Sequence, residues 1–385
     1  MPGRVLVAVS SVGLGHAARA RVYGSLLESM GFSVDYYAPE PAGSYLRAWG
    51  GRVLPVSWEV ESLSVYLERH WAKTGSGLIG LRAALEEHRA ALAAGRQLLA
   101  SVDVDSYDLV VAEESWEIIS LAEEIGAAKA WIADFVGYKP LGLRQVPAAW
   151  AVNRFLLRRY RHFDHRIYVG LPAGAGELSW RLTPRGPTAL EVLESLFHRA
   201  GPIPAFLPGE EASRREARRA LGLPGEPRVI LVQLGGTRAG ERLAEAAARA
   251  ALEEGLTPAV ARGPRASPRI PEGAVDLGYA PRLPALLQAF DCAYTLAGLS
   301  TIASLAAAGV PAALAPLPGH FEQEENARRA PRLWRGLFVD ASTMSPREAV
   351  RAACSLPGRP PDAGLHSNSR RVASILAAAA SGVSK

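Results

Sequence analysis

Residues able to do acid–base or phosphate chemistry gather at four places along this 385-residue chain. In the first, Gly13, Gly15 and Ala18 fit the G-x-G-x-x-G/A spacing of a dinucleotide loop, and His16 interrupts it with Arg19 and Arg21 close behind. Such glycines let a backbone approach a ligand closely, and a histidine at the loop tip carries a nitrogen that titrates near neutral pH. His16 is then a base for a hydroxyl, a proton donor to phosphate, or a structural helix cap. In the second, Glu113 and Glu114 end one apolar run and Asp134 ends the next. Carboxylates so placed can activate or orient a hydroxyl, or merely cap the helices that follow.

The third place holds two glycine turns, Gly235-Gly236-Thr237 and Gly298-Leu299-Ser300-Thr301, each between an apolar run and a helical segment. Free N–H groups and the positive dipole end make such a helix start a phosphate site, although Ser or Thr there also caps helices ordinarily. Two turns could grip a diphosphate from two sides. The fourth is a short polar loop over 316–327, with His320, Glu322, Gln323 and Asn326 close together. Amides and carboxylates suit a ligand with many hydroxyls; a solvated acidic helix start is the plainer reading.

Something must position these groups, and the chain alternates short apolar runs with longer helical patterns. Strands are expected at 4–9, 32–38, 108–114, 130–136 and 166–171, with helices over 16–30 and 78–100. A proline- and glycine-rich stretch over 201–209 reads as a hinge. A short basic helix over 214–224 follows it. The pattern then repeats: strands at 228–234, 257–262, 274–279, 291–296 and a last one at 310–316, with helices over 239–254, 282–289 and 300–308. Two amphipathic helices, 346–355 and 367–381, close the chain. The expectation is α/β: an N-terminal Rossmann-like domain over 1–203, a second over 204–365, and a tail helix, 366–385, returning to the first. Parallel sheets of this kind bind ligands beyond their strand carboxyl ends, so a cleft between the domains is the expected site.

Composition narrows the classes. No apolar run approaches the roughly 18–20 residues that span a bilayer, which predicts a cytoplasmic chain without a signal peptide. Cys292 and Cys354 are the only cysteines, too few for a disulfide framework or a zinc site. The net charge of +5 is nearly all arginine, since lysine occurs only at 73, 129, 139 and 385. Arginine suits phosphate, and a GC-rich genome gives the same bias. Few Met and Cys with many prolines hint at a heat-adapted source. Asp103-Val104-Asp105 mimics a D-x-D metal motif but precedes its strand, so it reads as a turn and no metal is expected. Arg154, Arg158 and Arg161 share one helical face opposite Phe155, Leu156 and Phe163, a surface for anionic lipid or simply for solvent. No basic strip extends beyond that helix, so nucleic acid is not expected.

Together, the glycine–histidine loop and the stretches 228–237 and 278–327 resemble the MurG-type glycosyltransferases of family 28. The resemblance implies the two-domain GT-B fold, with the acceptor in the first domain and a UDP-sugar, UDP-GlcNAc foremost, in the second. By that resemblance, Gly298, Leu299, Ser300 and Thr301 with Gly235, Gly236 and Thr237 hold the diphosphate. Tyr279 and Ala280 meet the uracil through their backbone, and His320, Glu322 and Gln323 address the donor sugar. Gly13, Gly15, Arg19 and Glu113 face the acceptor, with His16, Glu114 and Asp134 as catalytic candidates. One departure stands out: where family members carry a ribose-binding glutamate, this chain has Ser304, which reopens uracil against thymine. Retaining relatives carry paired glutamates near the donor phosphate and 297–308 has none, so the resemblance implies inversion, with no cofactor or metal required. The alternatives are a sugar-nucleotide 2-epimerase, a non-catalytic sugar-nucleotide sensor, and an NAD- or FAD-dependent oxidoreductase. The last lacks the acidic residue expected after the second strand, since Asp35 and Glu40 are poorly placed.

Overall fold

The computed structural model describes residues 3–10, 13–56, 81–174, 177–226, 228–235 and 240–382. Apolar runs without polar alternation suit strands covered on both faces, and the chain builds two such sheets. The first orders its strands β3-β2-β1-β4-β5-β6-β7, all parallel. These are β1 (Arg4–Val9), β2 (Ser33–Tyr37), β3 (Arg52–Val53), β4 (Leu109–Glu113), β5 (Ala128–Ala133), β6 (His165–Tyr168) and β7 (His198–Arg199). The helices between them are α1 (Gly15–Ser29), α2 (Ala42–Ala48), α3 (Leu81–Ser101), α4 (Trp116–Leu121), α5 (Val146–Arg159) and α6 (Ala189–Leu196).

Next comes α7 (Arg214–Ala220), then the second sheet, ordered β10-β9-β8-β11-β12-β13 and again parallel. Its strands are β8 (Val229–Gln233), β9 (Thr257–Ala261), β10 (Val275–Gly278), β11 (Cys292–Leu296), β12 (Ala312–Ala315) and β13 (Phe338–Asp340). Helices α8 (Glu241–Glu253), α9 (Leu299–Ala308), α10 (Phe321–Leu333) and α11 (Pro346–Ser355) flank them, and α12 (Leu365–Ala380) follows. Both sheets reverse strand order once, between β1 and β4 and between β8 and β11, the switch points where open α/β sheets take ligands.

Successive side chains point to opposite faces, and the cores obey this. Val5, Val7 and Val9 pack on one face of the first sheet, Leu6 and Ala8 on the other. In the second, Val229 and Leu231 oppose Ile230 and Val232. The tail helix α12 crosses back: Val372, Leu376 and Ala380 pack among the residues of β1 and α1 in the first core.

Several sequence expectations need correcting. The strand at Ala312–Ala315 is not the last, because Phe338–Asp340 pairs beside it. The segment 316–327 is not a loop: from Phe321 onward it is the start of α10, capped by the ring of His320. The sequence reading also missed α2, α6 and the two-residue strands β3 and β7, although Thr188 and Glu191 write a capping box before α6. Asp103–Asp105 does form a turn, with Asp105 accepting from the backbone N–H groups of Gly126 and Ala127. Two cysteines seemed too few for a disulfide framework, yet Cys292 and Cys354 are bonded, with Cα atoms 5.2 Å apart. That pairing depends on β11 and α11 lying side by side.

Candidate functional site: a cleft between two switch points

Adjacent strands deliver the polar groups of the first domain to one spot. After β1 the chain turns through Gly13, at φ +71°, and enters α1, which carries His16 and Arg19. β4 ends at Glu113; Glu114 follows at φ +49°, a left-handed backbone that is rare outside glycine and clusters at functional sites. Asp134 follows directly after β5.

Arg19, 1% exposed, is the hub. Its Nε and Nη2 donate to Glu113 Oε1 at 3.0 and 2.6 Å, and its Nη1 donates to Asp134 Oδ2 at 2.6 Å. Nη2 also lies 2.9 Å from His16 Nδ1 and 3.7 Å from Glu114 Oε1. Burial alone would weaken Arg19 as a cation, but Glu113, Asp134 and Glu114 hold it firmly protonated. Burial drives Glu114 well above the usual carboxyl range, and Asp134 adds to this. Burial also opposes charge on Asp134, but Arg19 and then His16 keep it below its ordinary value. Two neighbouring carboxyl groups are thus shifted in opposite directions, Glu114 up and Asp134 down.

Not every expected residue reaches the cleft. Glu113 is fully buried; its Oε1 serves Arg19 and its Oε2 accepts from the Tyr23 hydroxyl at 3.3 Å. It supports the site from beneath, which corrects its expected contact with an acceptor. Glu114 likewise turns a carboxyl oxygen to the Asp134 N–H, 2.7 Å away. The open wall is formed by Gly13, Gly15, His16, Arg19 and Asp134.

Opposite stands the second domain's switch point. α9 starts at Gly298 with no side-chain cap, so its first-turn N–H groups face the cleft unclaimed by a side chain. Ser300 Oγ donates to Gly15 O at 3.0 Å, which ties the two glycine turns across the gap. A Cβ on Gly15 would sit 3.3 Å from that Ser300 oxygen, so a larger residue there would push the hydroxyl back by a few tenths of an ångström. Gly235, Leu299, Thr301, Tyr279, Ala280, His320, Glu322 and Gln323 complete a cleft of about 290 Å³. Gly236 and Thr237 lie outside the described residues. Ser304 lines the cleft, but its hydroxyl donates to Ser300 O at 2.7 Å and accepts from Ala205 N at 2.9 Å. The hydroxyl expected to replace a ribose ligand instead fastens α9 to the segment joining the domains.

Burial pushes Glu322 up to about 8, with Asp134 across the cleft adding to it, and pushes His320 down to about 4. Gln323 Oε1 accepts from Leu317 N at 3.0 Å, which fixes its amide orientation. Sequence reasoning missed what holds this wall against the first domain. Phe321 packs edge-on against Phe135 and beside Tyr138, and Lys139 pairs with Glu325 at 2.6 Å. Arg329 donates to the Pro172 carbonyl at 2.6 Å and meets Glu177 at 2.9 Å. Each pair is more than 150 residues apart in sequence, and no local pattern signals it.

By distance alone His16, Glu114 and Asp134 could share a cation, with one ligand atom of each within 4.8 Å of the others. Arg19 already supplies positive charge to that cluster.

No family model matches the chain. It is 34% identical over 145 residues, 35% of this chain and 39% of the relative, to a UDP-N-acetylglucosamine--N-acetylmuramyl-(pentapeptide) pyrophosphoryl-undecaprenol N-acetylglucosamine transferase of Mycobacterium sp. (strain KMS). The match spans about two fifths of that relative's length. Among solved structures, the glycosyltransferase SnogD of Streptomyces nogalater superposes with a TM-score of 0.56 at 18% identity, covering 100% of this chain and 98% of that one. The Streptomyces sp. SF2575 glycosyltransferase SsfS6, complexed with thymidine diphosphate, gives 0.55 at 17% identity, covering 99% and 98%. The fold is that of the GT-B glycosyltransferases, and the chain is MurG-like in sequence over about a third of its length. These relatives are all transferases, which leaves the 2-epimerase expectation unsupported.

Proposed function

We propose that this MurG-like GT-B chain is an inverting glycosyltransferase that moves a hexose or N-acetylhexosamine from a UDP-sugar, UDP-GlcNAc foremost, to an acceptor hydroxyl. The observation that carries the reading is the facing of two switch points. One offers an uncapped helix start for a diphosphate, the other a histidine and a carboxylate for a hydroxyl. The diphosphate would lie over Gly298–Thr301 and beside Gly235, where fixed N–H dipoles stabilise the charge that grows on the leaving group. The base would rest by Tyr279 and Ala280, and the sugar hydroxyls by His320, Glu322 and Gln323. Glu322, held neutral by burial, can donate as well as accept.

The acceptor would enter from the side of Gly13, His16 and Arg19. A lipid-linked acceptor suits the MurG-like relatives, which are named for transfer to a pyrophosphoryl-undecaprenol acceptor. No helix among the described residues is long and apolar enough to cross a membrane. Arg154, Arg158 and Arg161 are exposed together on α5 and its extension. That face supports peripheral contact with anionic lipid at a cytoplasmic membrane surface. The transfer itself would require no cofactor and no metal.

A second reading concerns only the base. Thymidine diphosphate occupies the structure of one fold neighbour, and Ser304 has no glutamate-like reach to a ribose. The test is calorimetric titration with UDP, dTDP and NADH, followed by UDP release from UDP-GlcNAc with and without a polyprenyl-diphosphate sugar. UDP binding and acceptor-dependent release are expected. Preference for dTDP would move the donor class, and binding of NADH alone would sink the reading.

A further inference from the structure

The geometry points to the Asp134 carboxylate as the group that takes the acceptor's proton, and to His16 as a hydrogen-bond donor beside it. This rests on the transferase reading above. A guanidinium has donors and no acceptor. A ring nitrogen 2.9 Å from Arg19 Nη2 must therefore present its lone pair, which makes His16 Nδ1 an acceptor and puts the ring proton on Nε2. The longer 3.3 Å approach of Glu113 Oε1 to the same nitrogen then has no proton in it. The protonated Nε2 faces the Glu114 side, 3.8 Å from Oε2. Neither nitrogen of neutral His16 is left with a lone pair for an incoming hydroxyl.

Asp134 has what His16 lacks. Its side chain is 6% exposed and lines the cleft. Arg19 engages Oδ2 and the Glu114 side chain also hydrogen-bonds Asp134, but a carboxylate offers about four lone-pair sites, so acceptor capacity remains. The groups around it are Arg19 and His16 on α1, Glu114 after β4, Tyr168 on β6, and His320 and Glu322 at the start of α10. Arg19 holds Asp134 below its ordinary range against the opposing effect of burial, while burial pushes Glu114 well above its own, so Asp134 is the member of the pair that ionises first. One atom of each of His16, Glu114 and Asp134 lies within 4.8 Å of the others. A single hydroxyl lying between Asp134 and the His16 ring would donate to the carboxylate and accept from Nε2–H. The hydroxyl proton passes to Asp134 as the oxygen bonds to the anomeric carbon. The bond from that carbon to the diphosphate oxygen breaks, and its electron pair leaves with the nucleoside diphosphate. His16 Nε2–H orients the attacking oxygen. Arg19 is a positioning residue that fixes both partners.

Two measurements test this. Nitrogen-15 NMR of histidine-labelled protein, with His16→Gln identifying the resonances, should show a bare Nδ1 and a protonated Nε2. The opposite tautomer overturns the assignment. In kinetics, Asp134→Asn should lower kcat by about 10²–10⁴-fold, the range of general-base loss, with UDP affinity unchanged and the fold intact by circular dichroism. His16→Gln, which keeps a donor near Nε2, should stay within about ten-fold of wild type, well short of that loss. The wild-type rate should hold steady from about pH 7 to 5, because a carboxylate below its ordinary range is still ionised there. An acidic limb near pH 6.5, the ordinary histidine value, that disappears in His16→Gln overturns the proposal. If wild type neither binds nor releases UDP, the transferase reading fails instead, and the tautomer measurement still judges His16.

Discussion

Glu322 and Asp134 come from different domains and meet across the cleft, so each reports on the other. Burial raises Glu322 from the ordinary 4.5 to about 8. A raised carboxyl contributes stability that is complete below about 4.5 and lost as pH rises through about 8. Glu322→Gln should therefore abolish a decline in urea stability between those limits. The gain over wild type at pH 9 should exceed about 1.4 kcal/mol, the equivalent of one pKa unit. His320 has the opposite sign. Depressed from 6.5 to about 4, it favours the folded state above 6.5 and loses that contribution as pH falls through about 4. Ser304 separates two roles directly. Ser304→Ala leaves the Ala205 N–H without its partner, at a cost of about 1–3 kcal/mol of stability. Affinity for UDP should not change. A fall of about ten-fold, or 1.4 kcal/mol, would return the hydroxyl to ribose binding.

At the scale of elements, α10 joins the domains. Its first turn carries Glu322 and Gln323 into the cleft, while Phe321, Glu325 and Arg329 fasten the same helix to Phe135, Tyr138, Lys139, Leu171, Pro172 and Glu177 of the first domain. Phe135 follows Asp134 directly, so the helix proposed to face the donor sugar also braces the loop behind the carboxylate. Phe321→Ala removes two aromatic contacts worth about 0.5–1.5 kcal/mol each. The KM for UDP-sugar should rise by about ten-fold (1.4 kcal/mol), while UDP alone, which the proposed function seats on α9, should bind as before. A matching loss for both ligands would show that the helix serves the whole pocket and not the sugar end.

For the whole molecule, two long-range ties hold the architecture. α12 completes the first domain's core with Val372 and Leu376, and Arg21 reaches Glu210 at 2.5 Å beyond the joining segment. Within the second domain the Cys292–Cys354 bond closes a loop of 62 residues. Loop-closure entropy of that length is worth about 4 kcal/mol. Reduction, or Cys354→Ser, should lower denaturant stability by about 2–4 kcal/mol, and alkylation of intact protein should find no free thiol. Free thiols with unchanged stability would remove the bond from the account.

The sequence by itself determined the local grammar. Apolar runs specified ten of the strands, since a strand covered on both faces needs nothing but apolar side chains. Glycine turns marked both switch points because φ near +70° admits little else, as at Gly13 and Gly235. His16, Asp134, Ser300 and Glu322 were legible as polar groups at the ends of such runs. Tertiary structure alone decided what those groups do. Glu113 and Glu114 are neighbours of one type; burial beneath Arg19 gives one to support, and burial beside Asp134 pushes the other well above the usual carboxyl range. Ser304 became a fastener because Ala205 arrives from 99 residues away. Charge state, tautomer and the partner of a hydroxyl depend on distances of about 3 Å between residues far apart in the chain, and spacing along a sequence does not encode them.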